Sequence, residues 1–243
     1  MKKREELLAR LMNFLAEKYK NQLVLKGGML LRLLNSPRET QDLDYVWVRT
    51  KKRTLFAEEL KTSLEDLDSV EVEDALSNSR GIFIQVKDQN SNEKAKLEIN
   101  VVELLNKPPQ PMTTTVLSQA YALKPQVVAT MDLSEALSHK IAAALERDLL
   151  RDLYDLMLME PLTPFDEKTL RQRLARLEIG RSKPKVVSPQ EAAAFLKRKL
   201  DGLTPKRMKE ELGALLPDIP LQGMETIIKA SVGRLILRIE ILE

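Results

Sequence analysis

Residues 23–48 read LVLKGGMLLRLLNSPRETQDLDYVWV, and three patterns follow one another within them. Leu23, Val24 and Leu25 form a short apolar run, Gly27 and Gly28 a turn, and Met29 to Leu34 an apolar helical stretch that stops near Asn35, Ser36 and Pro37. Leu43 to Val48 is then rich in β-branched and aromatic residues and reads as a strand, with Asp42 and Asp44 at its beginning. Strand, glycine turn, helix and strand in that order open an α/β layer, and this order decides the class.

Working outward, Leu7, Leu8, Leu11, Phe14, Leu15 and Lys18 recur at helical spacing, so residues 4–20 predict an amphipathic helix covering a sheet edge or face. A polar helix is expected from about Thr54 to Leu67. Ile82 to Val86 and Lys96 to Val101 are two more strands, joined by the polar turn around Gln89 to Asn92 as a hairpin. The expected sheet is mixed, with helices on one side. Asn106 to Pro111 holds Pro108, Pro109 and Pro111 and marks the exit from it. Beyond, helices are expected over Leu133–Glu146, Arg151–Met159, Asp166–Leu177, Pro189–Asp201, Pro205–Leu216 and Gln222–Leu242. The expected organisation is an α/β (α+β) catalytic domain over residues 1–110 and a mainly helical domain over 111–243.

The chain has 243 residues, 43% apolar and 31% charged, which suits one or two domains with a real core. With no cysteine there is no disulfide framework, thiolate metal site or thiol nucleophile. The N-terminal stretch is interrupted by charges throughout, so neither a signal peptide nor a membrane span is expected, and a cytoplasmic location is. The net charge of +3 is small but uneven. Between Lys168 and Lys209 there are thirteen Lys or Arg against Glu178, Glu191 and Asp201, a balance of +10 that leaves −7 for the rest. That asymmetry makes the segment a candidate polyanion-facing surface.

Side chains alternate along a strand, so Asp42 and Asp44 project to one side with Cα atoms roughly 6 to 7 Å apart. Two carboxylates so placed can share a hard divalent cation, and magnesium takes one or two carboxylates together with substrate phosphates and water. The turn at Gly27 and Gly28, with Lys26 before it, offers backbone N–H groups to a polyphosphate. Alternation also sets Leu97, Ile99 and Val101 apart from Glu98 and Asn100, making Glu98 a third acid for a platform that holds two Mg2+ ions. The competing reading is surface charge at Asp42 and Asp44 and an exposed hairpin face at Glu98.

The runs Leu25 to Leu33 and Arg38 to Tyr45 resemble the opening motif of the AbiEii nucleotidyltransferase toxins, which are related to the MenT toxins. Lys96 to Asn100 looks like that family's third-carboxylate strand. Glu135 to Lys140, followed by Arg151 to Leu156, looks like its Lys helix and Arg-Asp-x-x-Asp motif. The resemblance covers roughly residues 20–160. It implies a polymerase-β-like nucleotidyltransferase fold, a nucleoside triphosphate used with magnesium, and a toxin paired with a cognate antitoxin, some relatives adding nucleotides to tRNA 3′ ends. By matching position, Gly28 contacts phosphate, Asp42 and Asp44 bind metal, Lys140 with Arg151 neutralises triphosphate charge, and Asp152 or Asp155 completes the site. Where the family has Ser or Thr after the two glycines this chain has Met29, which cannot hydrogen-bond a phosphate oxygen.

On an unbroken helix Lys140 and Arg151 would lie about 20° apart, with Asp155 about 40° further round. The competing reading is a solvated face with an ordinary Arg151–Asp155 pair. Lys140 is taken as exposed or cleft-facing, contributing little to folding. His139 is assigned no role, Trp47 is sheet packing, Met157 and Met159 are core fillers, and Tyr45 either packs or borders a base. The leading expectation is a magnesium-dependent nucleotidyltransferase acting on RNA, in particular tRNA. The alternatives are a degenerate nucleotide- or partner-binding protein and a transferase that modifies a protein.

Overall fold

A computed structural model describes residues 2–178, 184–217 and 219–242. The chain divides into two compact units, residues 1–132 and 133–243.

The first unit runs α1 (Lys2–Tyr19), β1 (Leu23–Lys26), α2 (Gly27–Leu33), β2 (Asp42–Val48), α3 (Arg53–Glu65), β3 (Val70–Asn78), β4 (Gly81–Asp88), β5 (Lys94–Val102), β6 (Gln110–Thr113), α4 (Thr115–Ala120) and β7 (Val127–Thr130). The seven strands form one sheet in the order β3-β4-β5-β2-β1-β7-β6. β2 runs parallel to β5 and β1 parallel to β7, while the other neighbours are antiparallel, so the sheet is mixed as expected.

One face of this sheet is the core. Leu43, Tyr45 and Trp47 of β2 point into it with Leu97 and Ile99 of β5 and Ile82, Ile84 and Val86 of β4. Leu8, Leu11, Met12 and Leu15 of α1 and Phe56, Leu60 and Leu64 of α3 close over them. Each fully buried side chain of this kind contributes about 1.5–3 kcal/mol. Trp47 stacks on Phe56 with ring centroids 4.1 Å apart, and Tyr19 meets Phe56 edge-on at 5.5 Å. Tyr45 is 1% exposed in this core, and burial raises its phenol pKa above the usual value. It therefore packs and does not border a base.

Two expectations change. β3 was not anticipated, because its side chains are mostly exposed and pair only with β4 at the sheet edge, with a register irregularity between Val72 and Asp74. The stretch 111–132, expected in the helical half, contributes most of β6 and all of β7 to the sheet. The division between units falls after Asp132 rather than at residue 110. Four-residue strands are too short to show a period of two against flanking polar residues.

The second unit is helical: α5 (Leu133–Glu146), α6 (Leu150–Met159), α7 (Glu167–Leu174), α8 (Pro189–Asp201), α9 (Pro205–Leu212) and α10 (Met224–Glu240). Its helix starts are written into the sequence. Asp166 accepts from the Thr169 amide and Thr204 from the Arg207 amide. Ser188 and Glu191 form a reciprocal capping box ahead of α8, and Pro189 and Pro205 stand at first helical positions. Each cap contributes about 1 kcal/mol. Among the described residues no helix is long and apolar enough to cross a membrane.

Candidate active site

The sheet face opposite the α1–α3 core gathers the acids. Register aligns Lys26 of β1 with Asp44 of β2 and Asp44 with Glu98 of β5, so the three form one row across adjacent strands. Asp42, two residues before Asp44, opens the next row beside Lys96 of β5. Directly paired side chains lie about 4.5–5.5 Å apart at Cβ, and alternation keeps all five on one face. Asp42, Asp44, Lys26 and Glu98 are partly exposed, within reach of both solvent and a ligand.

The electrostatics follow from this register. Partial burial and the negative charges of Asp44 and Asp42 raise the Glu98 pKa above the ordinary glutamate value, while Lys26 and Lys96 act in the opposite direction. Anions crowded in this way favour either a proton or a cation among them.

The glycine turn is built around the same acids. Gly27 has φ +70°, a left-handed conformation, and a Cβ there would stand 2.0 Å from Asp44 Oδ2 and 2.8 Å from its Cβ. The Asp44 side chain thus occupies the space that any other residue at position 27 would need. A Cβ on Gly28 would stand 2.4 Å from Thr40 Oγ1 and 3.2 Å from Arg38 Nη2. Position 29 faces the other way: Met29 is fully buried in the apolar cluster.

The donor set fits a hard divalent cation, being all oxygen, like-charged and beside a turn where triphosphate oxygens and water would supply the remaining ligands. Among the described residues, no group of three or more acids, imidazoles or thiols converges closely enough to hold a metal alone.

The second unit carries the other expected residues. Lys140 on α5 donates to Asp155 Oδ2 on α6 at 2.6 Å, with side-chain exposures of 13% and 1%. Lys140 is therefore no surface lysine. Arg147 grips Asp152 through Nε and Nη2, both at 2.8 Å, and Asp152 is fully buried. Asp152 acts in this unit as the anchor of an ion pair. Lys140 and Arg151 do not share an unbroken helix, since α5 ends at Glu146 and α6 begins at Leu150. The break is held from outside, by Glu211, which accepts from the Leu150 amide at 2.7 Å, and by Lys199, which donates to the Arg147 carbonyl. Arg151 is partly exposed.

The basic segment also resolves into parts. Arg173 donates to Glu146 Oε1 and to the Arg176 carbonyl, both at 2.7 Å, so it ties α7 to the end of α5. Arg207 is occupied by Glu211 and Asp148. Lys168, Lys197, Lys206 and Lys209 are exposed. Arg181 and Lys183 of this segment lie outside the described residues.

Sequence reasoning passed over Arg38, which is only 6% exposed, and Thr40. Both lie inside the quoted motif, but nothing in their spacing signals burial against a glycine.

Comparison with known proteins gives the family and the fold. The family described as nucleotidyl transferase AbiEii toxin, type IV toxin–antitoxin system, matches residues 8–230. MenT4, a nucleotidyltransferase toxin from Mycobacterium tuberculosis, is similar in structure with a TM-score of 0.53 and 20% identity, covering 93% of this chain and 91% of its own. JHP933 from Helicobacter pylori is similar with a TM-score of 0.56 and 16% identity, covering 98% and 92%. At these identities the structures establish the shared fold. No curated protein sequence matches the chain.

Proposed function

The chain belongs to the AbiEii family of nucleotidyltransferase toxins of type IV toxin–antitoxin systems, and from that premise we propose that it transfers a nucleotide from a nucleoside triphosphate to a hydroxyl of RNA, in particular a tRNA 3′ end. The observation that carries this reading is the shared sheet face of Lys26, Asp42, Asp44 and Glu98 beside the Gly27–Gly28 turn.

When bound, magnesium supplies charge neutralisation to the α-phosphate, the attacking hydroxyl and the departing pyrophosphate. Asp42, Asp44 and Glu98 are the residues that would hold it. Glu98, in register with Asp44, accepts the proton of the acceptor hydroxyl at its carboxylate. Lys26, in register with Asp44, offsets triphosphate charge. The family resemblance assigns Lys140 and Arg151 to triphosphate charge and Asp152 or Asp155 to completing the site. To that assignment the second unit adds a Lys140 ammonium fixed by Asp155. The basic surface of the second unit favours RNA over a protein acceptor. The cognate antitoxin is the expected partner of such a toxin, and the cytoplasm its place of action.

The test is incubation with each labelled nucleoside triphosphate, magnesium and total RNA. Label should move to RNA with the wild-type protein and not with Asp44→Ala or Asp42→Ala, although both variants fold. Wild-type transfer by both variants would remove the carboxylates from the mechanism, and label found on protein would replace the acceptor.

A further inference from the structure

The two glycines of the turn are flanked by opposite chemistry. At Gly27 the space of the missing Cβ is filled by the Asp44 carboxylate, and at Gly28 by the Thr40 hydroxyl with the Arg38 guanidinium beside it. An acid attracts a cation, whereas a hydroxyl and a guanidinium donate to anionic oxygens. The residue after the turn offers nothing polar, because Met29 is sealed in the core.

Resting on the reading above, we infer that Thr40 and Arg38, laid over Gly28, form the side-chain contact for the phosphates of a nucleoside triphosphate and select triphosphate over monophosphate.

Three features support this. Among the described residues, Thr40 Oγ1 donates over a long 3.3 Å contact to the Asp42 carbonyl, a bond weak enough to be exchanged for a phosphate oxygen. Arg38 is held in place: its amide donates to Ser36 Oγ at 3.2 Å, and its Nη1 to the Glu39 carbonyl at 3.1 Å. A guanidinium held in this way keeps its charge beside Gly28, where it attracts anionic oxygens. Finally, Gly28 lacks the Cβ that would push both groups away, so backbone, hydroxyl and guanidinium meet at one point. A magnesium triphosphate presents a cation and several anionic oxygens side by side, the same order as Asp44, Thr40 and Arg38 along the turn.

The experiment is calorimetric titration of the full chain with ATP, GTP, CTP and UTP, each with magnesium, and with the four monophosphates. Thr40→Val keeps the shape over Gly28 and removes the hydroxyl, Thr40→Ala removes both, and Thr40→Ser restores the hydroxyl. The preferred triphosphate should bind about tenfold more weakly to the Val and Ala variants, the loss expected for one hydrogen bond to a charged group. Monophosphate affinity should not change, and Ser should recover most of the triphosphate affinity. Wild-type triphosphate affinity in either the Val or the Ala variant overturns the assignment of Thr40 while leaving the nucleotidyltransferase reading intact. If the wild-type protein binds none of the four triphosphates, that reading fails, and this inference with it.

Discussion

At the scale of single residues, Lys140 changes most between sequence and structure. Spacing alone accepts it as a solvated lysine, but its ammonium lies 2.6 Å from a carboxylate that is 1% exposed. Removing one member of a buried ion pair costs up to about 3 kcal/mol. Lys140→Met should therefore lower the melting temperature by several degrees, and it should cut transfer at least about a hundredfold, the scale of losing one electrostatic stabiliser. Thermal unfolding and single-turnover transfer, compared with Lys168→Met on the exposed surface, check both effects. Equal melting of the two variants would show that the ion pair is inert. The same contrast explains what sequence could reveal. Asp42, Asp44 and Glu98 were legible because strand alternation fixes which side a residue faces. Arg38, Asp152 and Asp155 were not, because their burial depends on partners brought by the fold.

At the scale of elements, the parallel pairing of β2 with β5 sets Glu98 beside Asp44, and this has a consequence for pH. The folded-state pKa of Glu98 lies above the ordinary value, so the folded protein binds the proton more tightly than the unfolded chain. Stability contributed by that proton is present at acid pH and falls as pH rises from the ordinary glutamate range through the raised folded value. Glu98→Gln should match wild type at acid pH and melt higher than wild type at neutral pH without divalent cations. Magnesium should then stabilise wild type more than the variant, and parallel melting curves across this range would dismiss the coupling. The helices of the second unit carry another test. Arg173 and Arg207 are engaged within the protein, so on the proposed reading the charge offered to RNA would include the exposed lysines of α8 and α9. Replacing Lys197, Lys206 and Lys209 with Gln should weaken RNA binding and flatten its salt dependence, because fewer counterions are released. Filter binding at several salt concentrations measures this, and an unchanged slope would assign these lysines to solvation alone. The starts of α8 and α9 were visible in Ser188, Glu191, Thr204 and the prolines after the caps, since capping is local chemistry. The break between α5 and α6 was legible too, in the separate helices expected over Leu133–Glu146 and Arg151–Met159, but its supports were not, because Glu211 and Lys199 hold it from more than fifty residues away.

At the scale of the whole molecule, the order of motifs along the chain was enough to place a mixed sheet first and a helical unit after it. The boundary was set too early because the prolines near residue 110 precede two further strands of the same sheet. Prolines mark a turn in the path, and whether the chain returns to the sheet depends on pairing that local sequence does not encode. The fit between Gly27 and Asp44 carries a consequence for heredity. Cells that survive forced expression of an active toxin are those whose copy has acquired a disabling change, and such changes should concentrate where one small substitution is ruinous. At Gly27 every replacement meets both a left-handed backbone and an occupied space, so even alanine should disarm the protein. Sequencing survivors should thus recover missense changes at codon 27 as often as at codons 42 and 44, and far more often than at Gly223, whose missing Cβ would meet open space. A second-site reversion of the Gly27→Ala lesion should not arise by shrinking Asp44, because the change that makes room also removes the carboxylate: the lineage has no single step back except restoration of glycine.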